Sequence, residues 1–267
     1  MSASSRAIKL TAKTALKGNW VSAIVVSTVT VLCYLAIQLI LSVLSPAIGN
    51  TASFIVLFTL LFFMFLPVGM GFLRFFWRML FSAEDNPVSV FYYFSSVKLY
   101  LKTLKLLGMV LLYAACVGFV LFLPAIAVWV ISQSFLYDML SMPIPIWSAN
   151  LNYVFNLLVT TASAILIFIM IKFHLAPMLF VADDNIDVAE AIHMSKTISK
   201  KASLDFIFLA FSFIGWILLC FLCIPNVFVL PYIVTSYLVH SRFAVAEYNK
   251  HISENVKVDF STYKVSF

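Results

Sequence analysis

Charged residues are scarce in this sequence. They make up 10% of the 267 residues, whereas a soluble domain carries about 25%. So few charges cannot cover a surface that faces water, and 63% of the residues are hydrophobic. The composition therefore excludes an ordinary soluble protein and predicts a chain surrounded mainly by lipid.

Motifs for catalysis and metal binding are also lacking. The sequence has no phosphate-binding loop of the Walker type, no nucleophile elbow and no HExxH motif. The histidines, which lack the spacing of metal ligands, are His174, His193, His240 and His251. Only four cysteines occur, and Cys220-x-x-Cys223 lies in an apolar run, as buried thiols do. We therefore expect no metal, no cofactor and no enzymatic activity.

Long apolar runs are what the sequence does have. Runs of about 20 apolar residues are typical of membrane-spanning helices, and continuous rather than alternating apolarity favours helices over a barrel. The predicted spans are Val21–Leu44, Ser53–Leu73, Leu106–Val130, Leu151–Val181, Leu204–Cys223 and Val227–Ala244. The predicted fold is an all-α, polytopic membrane protein with six transmembrane helices.

The basic residues are distributed asymmetrically. If the N-terminus lies inside, all 17 Lys and Arg residues fall in inner segments or at inner helix ends. The outer loops, near Ser45–Ala52, Ile131–Asn150 and Pro225–Asn226, contain none. We therefore predict a protein of the cytoplasmic membrane with both termini in the cytoplasm. The net charge of +6 results from this bias and does not indicate nucleic-acid binding.

A threefold internal repeat is indicated within a single membrane domain, residues 1–267. Each unit has a basic amphipathic helix followed by a hairpin of two spans; the units are residues 5–80, 87–185 and 187–250. The basic segments are Ala7–Gly18, Val90–Lys105 and Ala189–Lys201. Each returning span contains a proline that predicts a kink or hinge: Pro67, Pro177 and Pro231. Gly69 and Gly71 would permit close packing.

The first and third basic segments have distinct faces. In the first, Arg6, Lys9, Lys13 and Lys17 form a stripe opposite Ile8, Ala12 and Ala15. This pattern predicts a helix on the inner leaflet, with Trp20 as an interface anchor, although a solvated helix remains an alternative. In the third, Asp187 and Glu190 resemble a capping box. Its predicted packing face is Val188, Ala191, Ile192, Ser195 and Ile198.

Five polar residues are candidates for contact with a ligand or lipid. Lys172 lies about 16 Å along the helix from Asp183, near the predicted midplane. It either binds an anionic headgroup or substrate between helices, or extends toward the headgroups because Pro177 breaks the span. The other candidates are His174, Arg74, Arg78 and Asp205. Asp205 would interact with a helix N-terminus or, alternatively, couple to protons. His240 and Arg242 are interpreted as interface anchors.

Several segments resemble a known family. They are His174-Leu-Ala-Pro-Met-Leu-Phe-Val-Ala-Asp-Asp-Asn185, Phe211-Ser-Phe-Ile-Gly-Trp-Ile-Leu-Leu219 and Ala15-Leu-Lys-Gly-Asn-Trp20. Together they resemble a bacterial family of polytopic membrane proteins known as a domain of unknown function. That family is distantly similar to the membrane domain of some glycerophosphodiester phosphodiesterases. The resemblance implies a bacterial six-span protein and supplies no catalytic residues.

The predicted function is non-enzymatic binding at the inner leaflet. The partners would be membrane lipids, with anionic headgroups favoured, or another membrane protein, through the basic amphipathic segments. The first alternative is a transporter of a small molecule or peptide, or a subunit of one, which would need a water-filled path to Lys172. The second is a lipid-modifying enzyme, which would need acidic or His residues clustered at one interface.

Overall fold

The structure is a computed structural model that describes residues 5–81, 86–132, 148–183, 185–219 and 226–255. These residues form helices and turns, with no strand among them. The α-helices are α1 (Ser5–Leu16), α2 (Trp20–Ile48), α3 (Asn50–Leu60), α4 (Leu66–Phe81), α5 (Val97–Ser132), α6 (Ser148–Met170), α7 (Ala176–Ala182), α8 (Val188–Phe211), α9 (Ile214–Leu219) and α10 (Asn226–Asn255). A π-helical turn covers Leu61–Phe65, and 3₁₀ helices cover Pro87–Phe94 and Ile171–Phe173.

Five stretches of the described chain are long and apolar enough to cross a membrane. They are Trp20–Val43, Thr51–Phe81, Val97–Ile131, Leu151–Ala182 and Phe228–Lys250. The prediction of an all-helical protein with membrane-spanning helices is thus confirmed at this level. The finer prediction, six spans in three hairpins, is not confirmed.

The predicted fifth span is where the structure differs most. Its first residues belong to α8, which begins at Val188, just before the third basic segment, and the helix turns at Ser212–Phe213 before α9. The sequence between Lys201 and Leu204 contains no glycine or proline to end a helix. A basic segment and an apolar segment therefore share one helix.

The same merging occurs in the second repeat unit. The 3₁₀ helix Pro87–Phe94 precedes α5, and Lys98, Lys102 and Lys105 lie in the first turns of α5 itself. Only the first basic segment is a separate helix, α1, because Gly18 adopts a φ of +99° in the turn that follows it. The predicted face of the third segment is confirmed at four positions that are buried: Val188, Ala191, Ser195 and Ile198.

Pro67 produces the local irregularity that the sequence predicts. The π-helical turn ends two residues before it. Because a proline nitrogen carries no hydrogen, the carbonyl of Phe63, four residues earlier, loses its regular helical donor. The Tyr100 hydroxyl donates a hydrogen bond to that carbonyl at 2.9 Å. The first turns of α5 thus compensate for the proline in the helix beside them.

The other two prolines behave differently from each other. The long fourth span is interrupted between α6 and α7, and Pro177 occupies the first turn of α7. Pro231 lies inside α10, which is continuous from Asn226 to Asn255. The helix is thus interrupted before Pro177 and continuous at Pro231, and a hinge at either proline stays a prediction.

The chain divides into two compact units. The first comprises Met1–Leu107 and His174–Phe267, and the second comprises Gly108–Phe173. The core of the first unit is built from α2, α4, α7, α8 and α10 around large buried side chains, among them Phe75, Phe76 and Phe180. In the second unit, the rings of Tyr113 and Phe173 pack edge to face with centroids 4.9 Å apart.

Helix α1 packs on protein through its apolar face. Ile8 and Ala12 are buried in a cluster with Leu209, Phe213 and Val239. α8 and α10 therefore cover this face, and the position of α1 on the inner leaflet stays a prediction. The Ile131–Asn150 loop, from residue 133 to 147, and the Cys220-x-x-Cys223 motif lie outside the described residues.

Candidate functional site

Arg74 is buried beneath the 3₁₀ helix Pro87–Phe94. Its side chain is 3% exposed, and its guanidinium lies 3.6 Å from the centroid of the Tyr92 ring. The close approach depends on Gly71, where an added Cβ would stand 1.8 Å from the carbonyl oxygen of Val90. The predicted close packing is thus confirmed at Gly71, whereas Gly69 has nothing within 4 Å. Arg74 is part of the packing of the first unit and is not open to a ligand.

Arg78, one turn later on α4, lines an open groove. The groove has a volume of about 330 Å³ and is lined by Arg78, Asn86, Val88, Ser89, Phe91, Tyr92 and Ser95. No acidic residue is among these lining residues. The Ser89 hydroxyl is buried and makes no hydrogen bond to any described residue. The groove therefore joins a cation, a hydroxyl that lacks a partner in the described structure, and apolar walls.

The Tyr92 ring connects the two arginines. It lines the groove and also covers the Arg74 guanidinium. The face of an aromatic ring attracts a cation, and the low dielectric of the core screens the buried charge only weakly. Arg74 therefore lies behind the groove, and Arg78, which is partly exposed, supplies a cation at the groove itself. This arrangement favours an anion.

Lys172 lies in the other unit, in the 3₁₀ helix Ile171–Phe173 at the end of α6, and its side chain is exposed. The two interpretations of Lys172, a ligand contact or an extension toward the headgroups, both remain predictions.

His174 and Asp205 lie along the packing between α8 and α10. The His174 ring stacks on Phe206 at 4.2 Å between centroids, and His240 lies 5.9 Å from His174. The Ser199 hydroxyl is 3.3 Å from His174 Nδ1, and the Tyr237 hydroxyl donates to the carbonyl of His174. These contacts form an aromatic layer, which we define as His174, Phe206, Tyr237 and His240.

His240 is the residue that sequence reasoning misplaced. It was interpreted as an interface anchor, but it is 3% exposed, and its Nε2 makes no hydrogen bond to any described residue. Arg242 lies over the Phe81 ring at 4.2 Å. The small residues Ser236, Ser241 and Ala244 near His240 signal that this face of α10 is packed. That signal is weak in a chain as apolar as this one.

Lys9 makes contacts that the sequence did not indicate. Its ammonium donates a 2.7 Å hydrogen bond to the carbonyl of Ser212 and lies 4.3 Å from the Phe213 ring. Ser212 caps the C-terminus of α8, where the helix dipole favours a cation. Partial burial lowers the pKa of Lys9 below its ordinary value. Lys9 thus connects α1 to the turn between α8 and α9.

The described residues include no group of three or more His, Cys, Asp or Glu side chains placed to hold a metal ion. His174, His240 and Asp205 therefore belong to no such group within the described part of the chain. A polar binding site that uses hydrogen bonds and charge is the chemistry that these side chains can provide.

The geometry can now be set beside known families. A model of a protein family of unknown function, DUF975, matches residues 1–244. The chain belongs to this family. No curated protein and no solved structure matches it. Membership of DUF975 confirms the resemblance to a domain of unknown function, and the similarity to the membrane domain of glycerophosphodiester phosphodiesterases stays a prediction.

Proposed function

We propose that this DUF975 protein is a non-enzymatic protein of the bacterial cytoplasmic membrane that binds anionic lipid headgroups at the inner leaflet. The groove beside Arg78 is the observation that carries the proposal. Its cation, the Ser89 hydroxyl and the ring in front of Arg74 match the charge and the acceptor oxygens of a phosphate group.

The walls of the groove suit the rest of a lipid. Val88 and Phe91 line it and are largely exposed, as are Phe94 and Val97 just beyond it. Exposed apolar side chains next to a cation are typical of surfaces at the headgroup boundary. A lipid whose phosphate lies against Arg78 would thus place its acyl chains beside these apolar side chains.

We also propose a topology with both termini in the cytoplasm and a shallow third hairpin. The Trp20 and Phe228 rings lie 6.4 Å apart, so these residues share one depth. In the six-span map Trp20 is at the inner face and Phe228 adjoins the outer loop, on opposite sides of about 30 Å of hydrocarbon. Arg242, on α10, contacts Phe81, at the end of α4. These contacts favour α8–α10 lying at the inner leaflet.

Lipid retention tests the proposed binding. In native mass spectrometry of the mildly extracted protein, titration with phosphatidylglycerol should give bound lipid that falls about tenfold in Arg78→Gln. Lys98→Gln, a basic residue exposed at the start of α5 that does not line the groove, is the matched control and should retain wild-type binding. Equal binding by Arg78→Gln and wild type would exclude the groove as the lipid site.

A further inference from the structure

The interface between α8 and α10, which we call the seam, has a polar end and an apolar end. The polar end is a cavity of about 40 Å³ whose lining includes Lys201, Asp205, His240, Glu247 and Tyr248. The apolar end is a groove of about 260 Å³ whose lining includes Leu209, Phe213, Ile217 and Ile233. The residue numbers rise along α8 as they fall along α10, so both spaces belong to one antiparallel pair of helices.

The aromatic layer separates the two spaces. His240 lines the polar cavity, whereas Phe206 and Tyr237 line the apolar groove. Asp205 and Phe213 are about 12 Å apart along the chain at the rise of an α-helix. An elongated molecule with a small charged end and an apolar tail would match this order of surfaces.

The cavity calls for a hydrogen-bonding occupant. His240 is almost completely buried, and its Nε2 makes no hydrogen bond to any described residue, which is costly for a buried polar atom. A space for one water needs about 10–15 Å³. The cavity therefore admits a primary ammonium group, which is close to water in size and, unlike a trimethylammonium group, donates N–H hydrogen bonds.

The charges around the cavity specify which end of a lipid enters. Asp205 and Glu247 offer carboxylates, and Lys201 offers a single ammonium. An ammonium group donates three hydrogen bonds, which the carboxylates of Asp205 and Glu247 can accept.

We propose that the seam between α8 and α10 binds a phospholipid with a primary amine, such as phosphatidylethanolamine. The amine occupies the polar cavity beside Asp205 and Glu247, and an acyl chain lies in the apolar groove. This site is distinct from the groove beside Arg78, since the two have no lining residue in common.

Native mass spectrometry with phosphatidylethanolamine and phosphatidylcholine of identical acyl chains tests the proposal. Wild type should retain about tenfold more of the ethanolamine lipid. Asp205→Asn should reduce retention of that lipid to the choline level. Glu190→Gln, an acidic residue exposed on the same helix, should keep the preference, and so should Arg78→Gln, which separates this site from the proposed function.

A series of lipids removes any dependence on the folding of a variant. Successive N-methylation of phosphatidylethanolamine should lower retention by wild type at each step, because each methyl group removes a donor and adds volume. Equal retention across the series, or an unchanged preference in a folded Asp205→Asn protein, would overturn the proposal. Binding of free ethanolamine with no added retention of the lipid would also overturn it, because the acyl chain would then have no site.

Discussion

Two arginines one turn apart on α4 have different roles because of their neighbours. Arg74 lies under Tyr92, and Arg78 reaches the groove on the other side of that ring. A buried guanidinium is stabilised only when its charge meets a partner such as an aromatic face. The 3₁₀ helix Pro87–Phe94 provides this face, and it lies close enough only because position 71 has no side chain.

Gly71→Ala should therefore destabilise the protein, by about 1–3 kcal/mol, the usual range for overpacking a core. The contact is with backbone, the Val90 carbonyl, so no flexible side chain can move aside. Thermal unfolding in detergent would measure the loss.

Gly69→Ala is the matched control, because its new methyl group meets nothing within 4 Å. Its melting temperature should be unchanged or higher, since alanine favours a helix over glycine by up to about 1 kcal/mol. Equal effects of the two substitutions would contradict the close approach of Val90.

The role of a single residue was predictable from the sequence where its cause lies in the neighbouring sequence. Gly71 stands out as a small residue in a span, and Arg78 as a cation at a helix end. His240 does not stand out, because its burial depends on α8 and on the turn that carries His174, both distant in sequence. The environment of Ser89 was not predictable either, because it comes from the packing of the 3₁₀ helix on α4.

At the scale of elements, a helix boundary was predictable only where nearby residues determine it. Asp187 caps α8 by accepting the Ala189 N–H at 3.2 Å, as the capping motif suggested. The end of the basic segment at Lys201 was not predictable, because no residue there stops a helix. The turn at Ser212–Phe213 depends on contact with α1, which a local pattern cannot reveal.

Lys9→Met should loosen α1 from the turn after α8. The substitution keeps an apolar stem but removes the hydrogen bond to Ser212 and the contact with the Phe213 ring. Cation–π contacts at exposed sites contribute about 0.5–1 kcal/mol, so amide hydrogen exchange in α1 should accelerate several-fold.

Lys13→Met serves as the comparison, because Lys13 is exposed on the same helix. Exchange in α1 should be unchanged by this substitution. If Lys9→Met also left exchange unchanged, the Lys9 contact would not hold the helix in place.

At the scale of the whole molecule, the composition predicted a membrane protein, and contacts between helices are the basis of the topology that we propose. Scarce charge and long apolar helices identify a membrane protein from sequence alone. The depth of the third hairpin was not predictable, because its apolar content suits a spanning hairpin and a shallow one equally. The contact between Trp20 and Phe228 supports the shallow hairpin that we propose, because it brings the start of α10 close to the start of α2.

Labelling of single cysteines tests this topology. In a protein whose native cysteines are replaced by serine, Asn226→Cys should react with an impermeant maleimide only from the cytoplasmic side. Ser96→Cys marks the inner face and Asn150→Cys the outer one. Reaction of Asn226→Cys from outside intact cells would restore the six-span map.

The central claim is that an anionic headgroup binds beside Arg78. Electron cryo-microscopy of the protein in nanodiscs that contain phosphatidylglycerol tests it most directly. The claim predicts phosphate density in the groove, in contact with the Arg78 guanidinium. Ordered lipid elsewhere on the protein, with the groove beside Arg78 filled only by solvent, would contradict it.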